Sequence, residues 1–585
     1  MKTSPERPRS LWARATWRKS LAQLREEERH EAFERSLGLF DLIMIGIGGT
    51  VGSGVFATAG LVCSNSSAIA RYYAGPAAVL SWIFAGIGCI LSSGAFMELS
   101  CLIPADGSTY AYAYHALGEL PATIAGFLLT LEYGISSAGN ARAWSAKFVV
   151  WLKTMFNVDS PAWMRPAGTS IDLYAGLLLT LCVLIVLGGM SLGKRLINAI
   201  TLTKISVVLF IIIAGLTKFE PANISPFVPA EAQNERGQTV FGWPGVMLGA
   251  SASFYGYIGY DEVCCLAGEA INPRKNIPRA VLGTVLGAAA LSILATLSIV
   301  GMQKYSEINV DESYGEAFKS VGRRSKRCLT MVGYAWASPI VETGEVVTMP
   351  VGILIGFLAQ PRVQCAMAQD GLMPAIFGRL DAHRNPRHGA VLMGLFLVAL
   401  ATVVEFHVLW NFISLGILLA FNLTNLSLLV VRYEATPLRA RSLTLRLPFV
   451  LGVFSLASWL AALHLQESFI APSALATPGS FYHAYMTHAG AAVGAGFAVV
   501  AAAMVAVLAI NPPRGTKPAD KTEGLFQCPG VPLVPCLAMF FNWLLAVQMP
   551  MATVVMMAVW LLTAVCVYLA YGVRYGGGAP RDVVV

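Results

Sequence analysis

Between Phe40 and Gly60 the sequence runs FDLIMIGIGGTVGSGVFATAG, an apolar stretch whose middle carries Gly48, Gly49, Gly52 and Gly54. Its ends favour a helix, whereas glycines this dense favour leaving one. Hydrocarbon offers no water to freed N–H and C=O groups, so backbone that unwinds there must be buried in protein or line a cavity where a solute satisfies it. A second stretch, SASFYGYIGYDEVCCLAGEAINPRKNIPRA, sets Gly256 and Gly259 among aromatics, followed by Asp261, Glu262 and Glu269. Glycine pairs in membrane helices commonly serve close packing. Two interruptions five spans apart favour a different use, because matching broken helices in two halves mark carriers that hold solute at the membrane midplane. Half-helix amino termini offer N–H groups to a carboxylate, and half-helix carboxyl termini offer carbonyls to an ammonium. An α-amino acid has that polarity.

Three charged residues inside apolar runs extend the candidate site. Lys204 sits in LINAITLTKISVVLFIII with apolar neighbours on both sides, too deep to snorkel; backbone carbonyls must hold its ammonium or it must shed its proton. Glu132 in the third span and Glu345 in the eighth would favour a cationic side chain in a nearby pocket. For each acid, a structural hydrogen bond to a neighbouring helix is the alternative. No Ser/His/Asp set, paired catalytic acids or HExxH is visible, and His115, His383 and His407 are isolated, so an enzyme is not expected. Eleven cysteines are scattered without metal-ligand spacing, and no cofactor or metal is expected.

The elements that must position these residues are membrane helices. With 585 residues, 56% hydrophobic and 13% charged, the chain is an all-α polytopic membrane protein and not a soluble one. Apolar runs of spanning length are expected at Leu37–Cys63, Gly75–Leu99, Leu120–Ala141, Leu173–Met190, Leu196–Leu216, Trp243–Gly268 and Ala280–Met302. Seven more are expected at Ala335–Ala359, Gly389–Val404, Leu409–Val431, Phe449–Leu465, Ala491–Ile510, Val531–Val547 and Ala552–Leu569. The net charge of +8 includes nine Lys/Arg before residue 36, which places the amino terminus in the cytosol beside anionic headgroups and argues against nucleic-acid binding. Both ends then lie in the cytosol. The first 36 residues are expected as a disordered or interfacial segment, and the tail from Gly576 as disordered. Asn65 and Asn223 open sequons in outside loops.

Several motifs together carry a family resemblance. They are GIGGTVGSGVF at 46–56, AGPAAVLSW at 74–82, PADGSTYAYAYHALGEL at 104–120, LEYGISSAGNARAWSA at 131–146, GYIGYDEVCCLAGEAINPRKNIPRA at 256–280, AQDGLMP at 368–374 and FQCPGVPLVP at 526–535. With them the chain resembles, nearly end to end, the cationic amino acid transporters of the amino acid–polyamine–organocation superfamily. That resemblance implies a 5+5 inverted-repeat core with broken helices one and six over residues 37–431, four peripheral helices over 432–571, and cytosolic segments at 1–36 and 572–585. It also implies roles: the Thr50 and Ile258 carbonyls as acceptors for the substrate amine, Ser53 and Gly54 as the carboxylate cradle, and Tyr255 as the aromatic gate. Lys204 resembles the lysine that replaces a sodium ion in proton-coupled relatives, bracing the first span against the eighth. The expected function is transport of arginine, lysine or ornithine by alternating access across a plasma or vacuolar membrane, with protons as candidate co-substrate. A carrier of neutral amino acids or polyamines and a non-transporting receptor stay open. Residues 323–333 depart from the family pattern as an insertion.

Overall fold

The computed structural model describes residues 10–21, 23–24, 35–63, 74–103, 107–188, 194–233, 239–308, 313–324, 336–381, 386–434, 436, 438–440, 443–470, 485, 489–513 and 525–577. Residues 1–9 and 25–34, the Asn65 sequon, residues 325–333 and the tail beyond 577 lie outside them. The described chain is almost wholly helical, with two small antiparallel ribbons, Ala232–Gln233 on Thr239–Val240 and Leu438–Ala440 on Leu443–Leu445. Nine helices among the described residues are long and apolar enough to cross a membrane, and three shorter apolar ones accompany them.

After a short α1 (Leu11–Ala15), the first span is two helices, α2 (Leu39–Thr50) and α3 (Ser53–Cys63). The parting falls at Val51, where the backbone turns extended (φ −82°, ψ 102°). Gly48 and Gly49, expected to break the helix, are helical instead; the interruption lies at Val51 and Gly52. Next come α4 (Ala78–Leu102), α5 (Thr109–Ala116) and a third span built as α6 (Glu119–Leu129), a π turn (Thr130–Ile135) and α7 (Ser136–Phe156). Helices α8 (Leu173–Leu187) and α9 (Lys194–Leu216) follow.

The sixth span parts more widely. Helix α10 (Gly242–Ser253) runs into a 3₁₀ turn (Phe254–Tyr257), the chain extends at Ile258 (ψ 137°), and Gly259 takes φ +125° before α11 (Tyr260–Cys265). Only glycine adopts that φ readily. Then follow α12 (Pro273–Met302), α13 (Ser313–Arg324), α14 (Ala337–Gln369), α15 (Arg387–Val403), α16 (Phe406–Tyr433), α17 (Leu447–Leu465), α18 (Ala491–Ile510), α19 (Leu533–Ala546) and α20 (Met551–Val567). The eighth span, α14, outruns its expected end at Ala359 by ten residues, despite Pro350 and Pro361 inside it.

Packing sorts these helices into two groups. Helix α2 packs on α12, α12 on α4 and α4 on α10, while α7, α8, α14 and α15 pack on one another; α9 and α16 touch both groups. The breaks of α2/α3 and α10/α11 therefore face the second group across the middle of the molecule. On one face, here the near face, residues 10–21 meet the last described turns and the start of α6: Arg14 donates to the Val573 carbonyl and the Glu119 amide to the Trp17 carbonyl. Lys19, buried, pairs with Asp370, which also accepts from the Tyr110 hydroxyl at 2.5 Å. The described part of the amino terminus is thus bound to the fold, with Leu11 and Trp12 left exposed. On the opposite face α13 lies over α3, with Tyr314 against Phe56 at 6.5 Å between ring centroids. Asn223 is buried there, its amide donating to the Gly301 carbonyl at 2.8 Å, which removes the side chain a glycan would need.

Candidate functional site

The two breaks meet backbone to backbone. A Cβ on Gly54 would lie 2.5 Å from the Gly256 Cα, and one on Gly259 would lie 2.7 Å from Thr50 Oγ1 and 3.0 Å from the Thr50 amide. Gly256 is further hemmed by Trp82. Small residues at Gly54, Gly256 and Gly259 thus allow the two parted helices to touch, while the parting leaves helix ends whose amides and carbonyls lack intrahelical partners. Thr50 closes α2, its hydroxyl turned back on the Gly46 carbonyl at 2.6 Å; Ile258 lies in the extended link of span six. Ser53 opens α3. Packing and ligand binding, which compete as explanations of such glycines, are here two uses of the same crossing.

Tyr255 is buried just before Gly256. Its hydroxyl donates to Asn140 Oδ1 of α7 at 2.6 Å, and its ring lies 5.9 Å from that of Trp410 in α16. The side chain therefore bridges the two helix groups over the crossing, the position from which a gate would act. Asn140 and Trp410 carry no sequence mark of this role, because nothing local predicts contacts more than a hundred residues away.

Lys204 is fully buried, and its ammonium donates to the Gly48 carbonyl at 2.8 Å. A Cβ on Gly52 would come within 3.1 Å of the same nitrogen. Gly48 also abuts Thr201, one turn away on α9. Span five thereby holds the last turn of α2, and Gly352 of α14 comes close to the Gly48 and Gly49 carbonyls from the other side.

The acids divide. Glu345 pairs with Lys147 of α7 at 3.1 Å, both buried, and Glu342 pairs with Lys319 of α13 at 3.0 Å. The charge on Glu345 is thus answered within the fold. Glu132 lies in the π turn, fully buried beside Asp261; π turns recur at functional sites. Next to it Asp261 accepts from the Tyr133 hydroxyl at 2.9 Å and the Gly259 amide at 3.3 Å. Glu262 presents its Oε2 to Gly49, where a Cβ would sit 2.5 Å away.

A bundle of membrane helices parted at two facing points, with fixed charges beside the parting, is the architecture of a solute carrier. The amino acid permease family profile matches residues 37–570. A methylthioribose transporter of Bacillus subtilis is 31% identical over 74% of this chain and 88% of its own. Human cationic amino acid transporter 4 is 28% identical over 96% of this chain and 91% of its own. Arabidopsis thaliana cationic amino acid transporter 9, chloroplastic, is 29% identical over 94% and 90%. The chain belongs to the amino acid permease family, and it is a multi-pass membrane protein related to transporters rather than to enzymes.

Proposed function

We propose that the protein is a carrier of cationic L-amino acids, arginine, lysine or ornithine, working by alternating access. The observation that supports this most is the crossing of two broken helices, which supplies carbonyl ends at Thr50 and Ile258 for an α-ammonium and the amide end at Ser53 and Gly54 for an α-carboxylate. In this reading the two breaks bind what all amino acids share. Selection for cationic side chains follows the naming of the relatives, with Glu132 as the buried acid proposed to contribute. In this reading the Lys204 ammonium braces span one in place of a sodium ion, and transport is sodium-independent and depends on external pH. The ten-helix core is residues 37–431, the peripheral helices 432–571, and the near face is cytosolic.

A different substrate is favoured by one specific comparison, since the methylthioribose transporter has no amino acid in its name. Uptake of labelled L-arginine into proteoliposomes, competed by lysine, ornithine, leucine, putrescine and methylthioribose, separates these readings. Competition by lysine and ornithine alone is expected. Competition by methylthioribose or putrescine alone would reassign the substrate, and binding without uptake would make the protein a receptor.

A further inference from the structure

Lys204 and Glu262 press on consecutive residues of the same helical turn from two sides. The ammonium, carried by α9, takes the Gly48 carbonyl; the carboxylate, carried by α11, lies against Gly49. Both sit at the carboxyl end of α2, where unpaired carbonyls give the helix about half a negative charge. A cation is stabilised there and an anion is not. Lys204 is therefore suited to remain the charged member, held by its carbonyl. Glu262 has an oxygen, Oε2, that is buried and hydrogen-bonded to nothing, and a buried ionised carboxylate without donors is costly. Lys204 lies across the turn from it, and Asp261 precedes it on α11.

The other titratable groups around it are accounted for. Asp261, on the same helix, has two donors in Tyr133 and Gly259. Glu132, from span three, faces Asp261. Glu262 is the acid whose oxygen rests on the parted helix itself, so a change in its charge bears directly on how α2 sits between α9 and α11.

We infer that Glu262 is the residue that takes up and releases the coupled proton, with Lys204 the fixed charge opposite it, an inference that rests on the chain being an amino acid carrier. A hydronium ion on one side of the membrane gives a proton to the carboxylate, forming one O–H bond. The same bond breaks when the acid returns the proton to water on the other side. Lys204 keeps its protons throughout.

The test uses wild-type protein, Glu262→Gln and Glu262→Asp in proteoliposomes with the membrane potential clamped. Exchange of labelled for unlabelled L-arginine reports binding and alternation; accumulation under an imposed pH gradient, with internal pH followed by a trapped dye, reports coupling. Wild type is expected to accumulate L-arginine about tenfold per pH unit for one coupled proton. Glu262→Gln should exchange within about twofold of wild type yet neither accumulate nor acidify the lumen, and Glu262→Asp should regain both. Accumulation by Glu262→Gln equal to wild type would overturn the inference, as would loss of exchange together with accumulation, or wild-type exchange that ignores the gradient. No exchange by wild type would instead refute the carrier reading.

Discussion

Glu345 shows how a buried charge changes meaning once its partner is known. From the sequence it stands as an acid in an apolar run and so as a candidate reader of cationic substrates; in the fold Lys147 lies 3.1 Å from it. Removing one partner of a buried pair leaves the other uncompensated, at a cost of about 3–5 kcal/mol, whereas removing both is far milder. Glu345→Gln should therefore lower the melting temperature of detergent-solubilised protein, and addition of Lys147→Met should restore most of it. Uptake of arginine and of a neutral amino acid should fall together in the single variant. A selective loss of arginine uptake with unchanged stability would return Glu345 to the substrate. Lys204 was legible as a deep lysine that carbonyls hold or that sheds its proton, but the Gly48 carbonyl it meets could not be read, because α9 reaches Gly48 only through tertiary packing.

At the scale of elements, the broken helices were legible from glycine and the exact break was not. Gly48, Gly49, Gly52 and Gly54 are equal candidates along the sequence, yet only Val51 and Gly52 leave the helix; the others are small because Thr201, Glu262 and Gly256 crowd them. The start of α6 carries a second consequence of packing. Glu119, just before the apolar part of the third span, is buried against the last turn of the chain, accepting from the Tyr568 hydroxyl at 3.1 Å and the Tyr114 hydroxyl at 3.3 Å. Burial pushes its carboxyl up to about 7, with those phenols opposing the rise. In the unfolded chain it ionises near the ordinary carboxylate value, so between that value and about 7 the folded state binds the extra proton, and stability from this group falls as pH rises through that window. Melting temperature should accordingly decline from about pH 5 to pH 7 in wild type, and the decline should flatten in Glu119→Gln. The same slope in both would place the titration elsewhere.

Over the whole molecule, composition and the spacing of apolar runs make a multi-pass helical membrane protein legible, and the motifs point to its family. What they leave out is the joining of distant parts. Residues 10–21 meet the last described turns through Arg14 and Val573, and the Lys19–Asp370 pair fastens this segment to the end of α14. A stretch rich in arginine reads as solvated or lipid-facing unless its acidic partner, some 350 residues on, is known. The two helix groups likewise arise from contacts between spans far apart in sequence, and the candidate site exists only where their parted members cross. The most direct measurement of that site compares substrate analogues against labelled L-arginine exchange in proteoliposomes. If Thr50 and Ile258 hold the α-ammonium while Ser53 and Gly54 hold the α-carboxylate, lysine and ornithine should compete, and agmatine, which lacks only the carboxylate, should lose most of its inhibition. Agmatine competing as well as L-arginine would contradict the account, since the amide end of the broken helix would then read nothing.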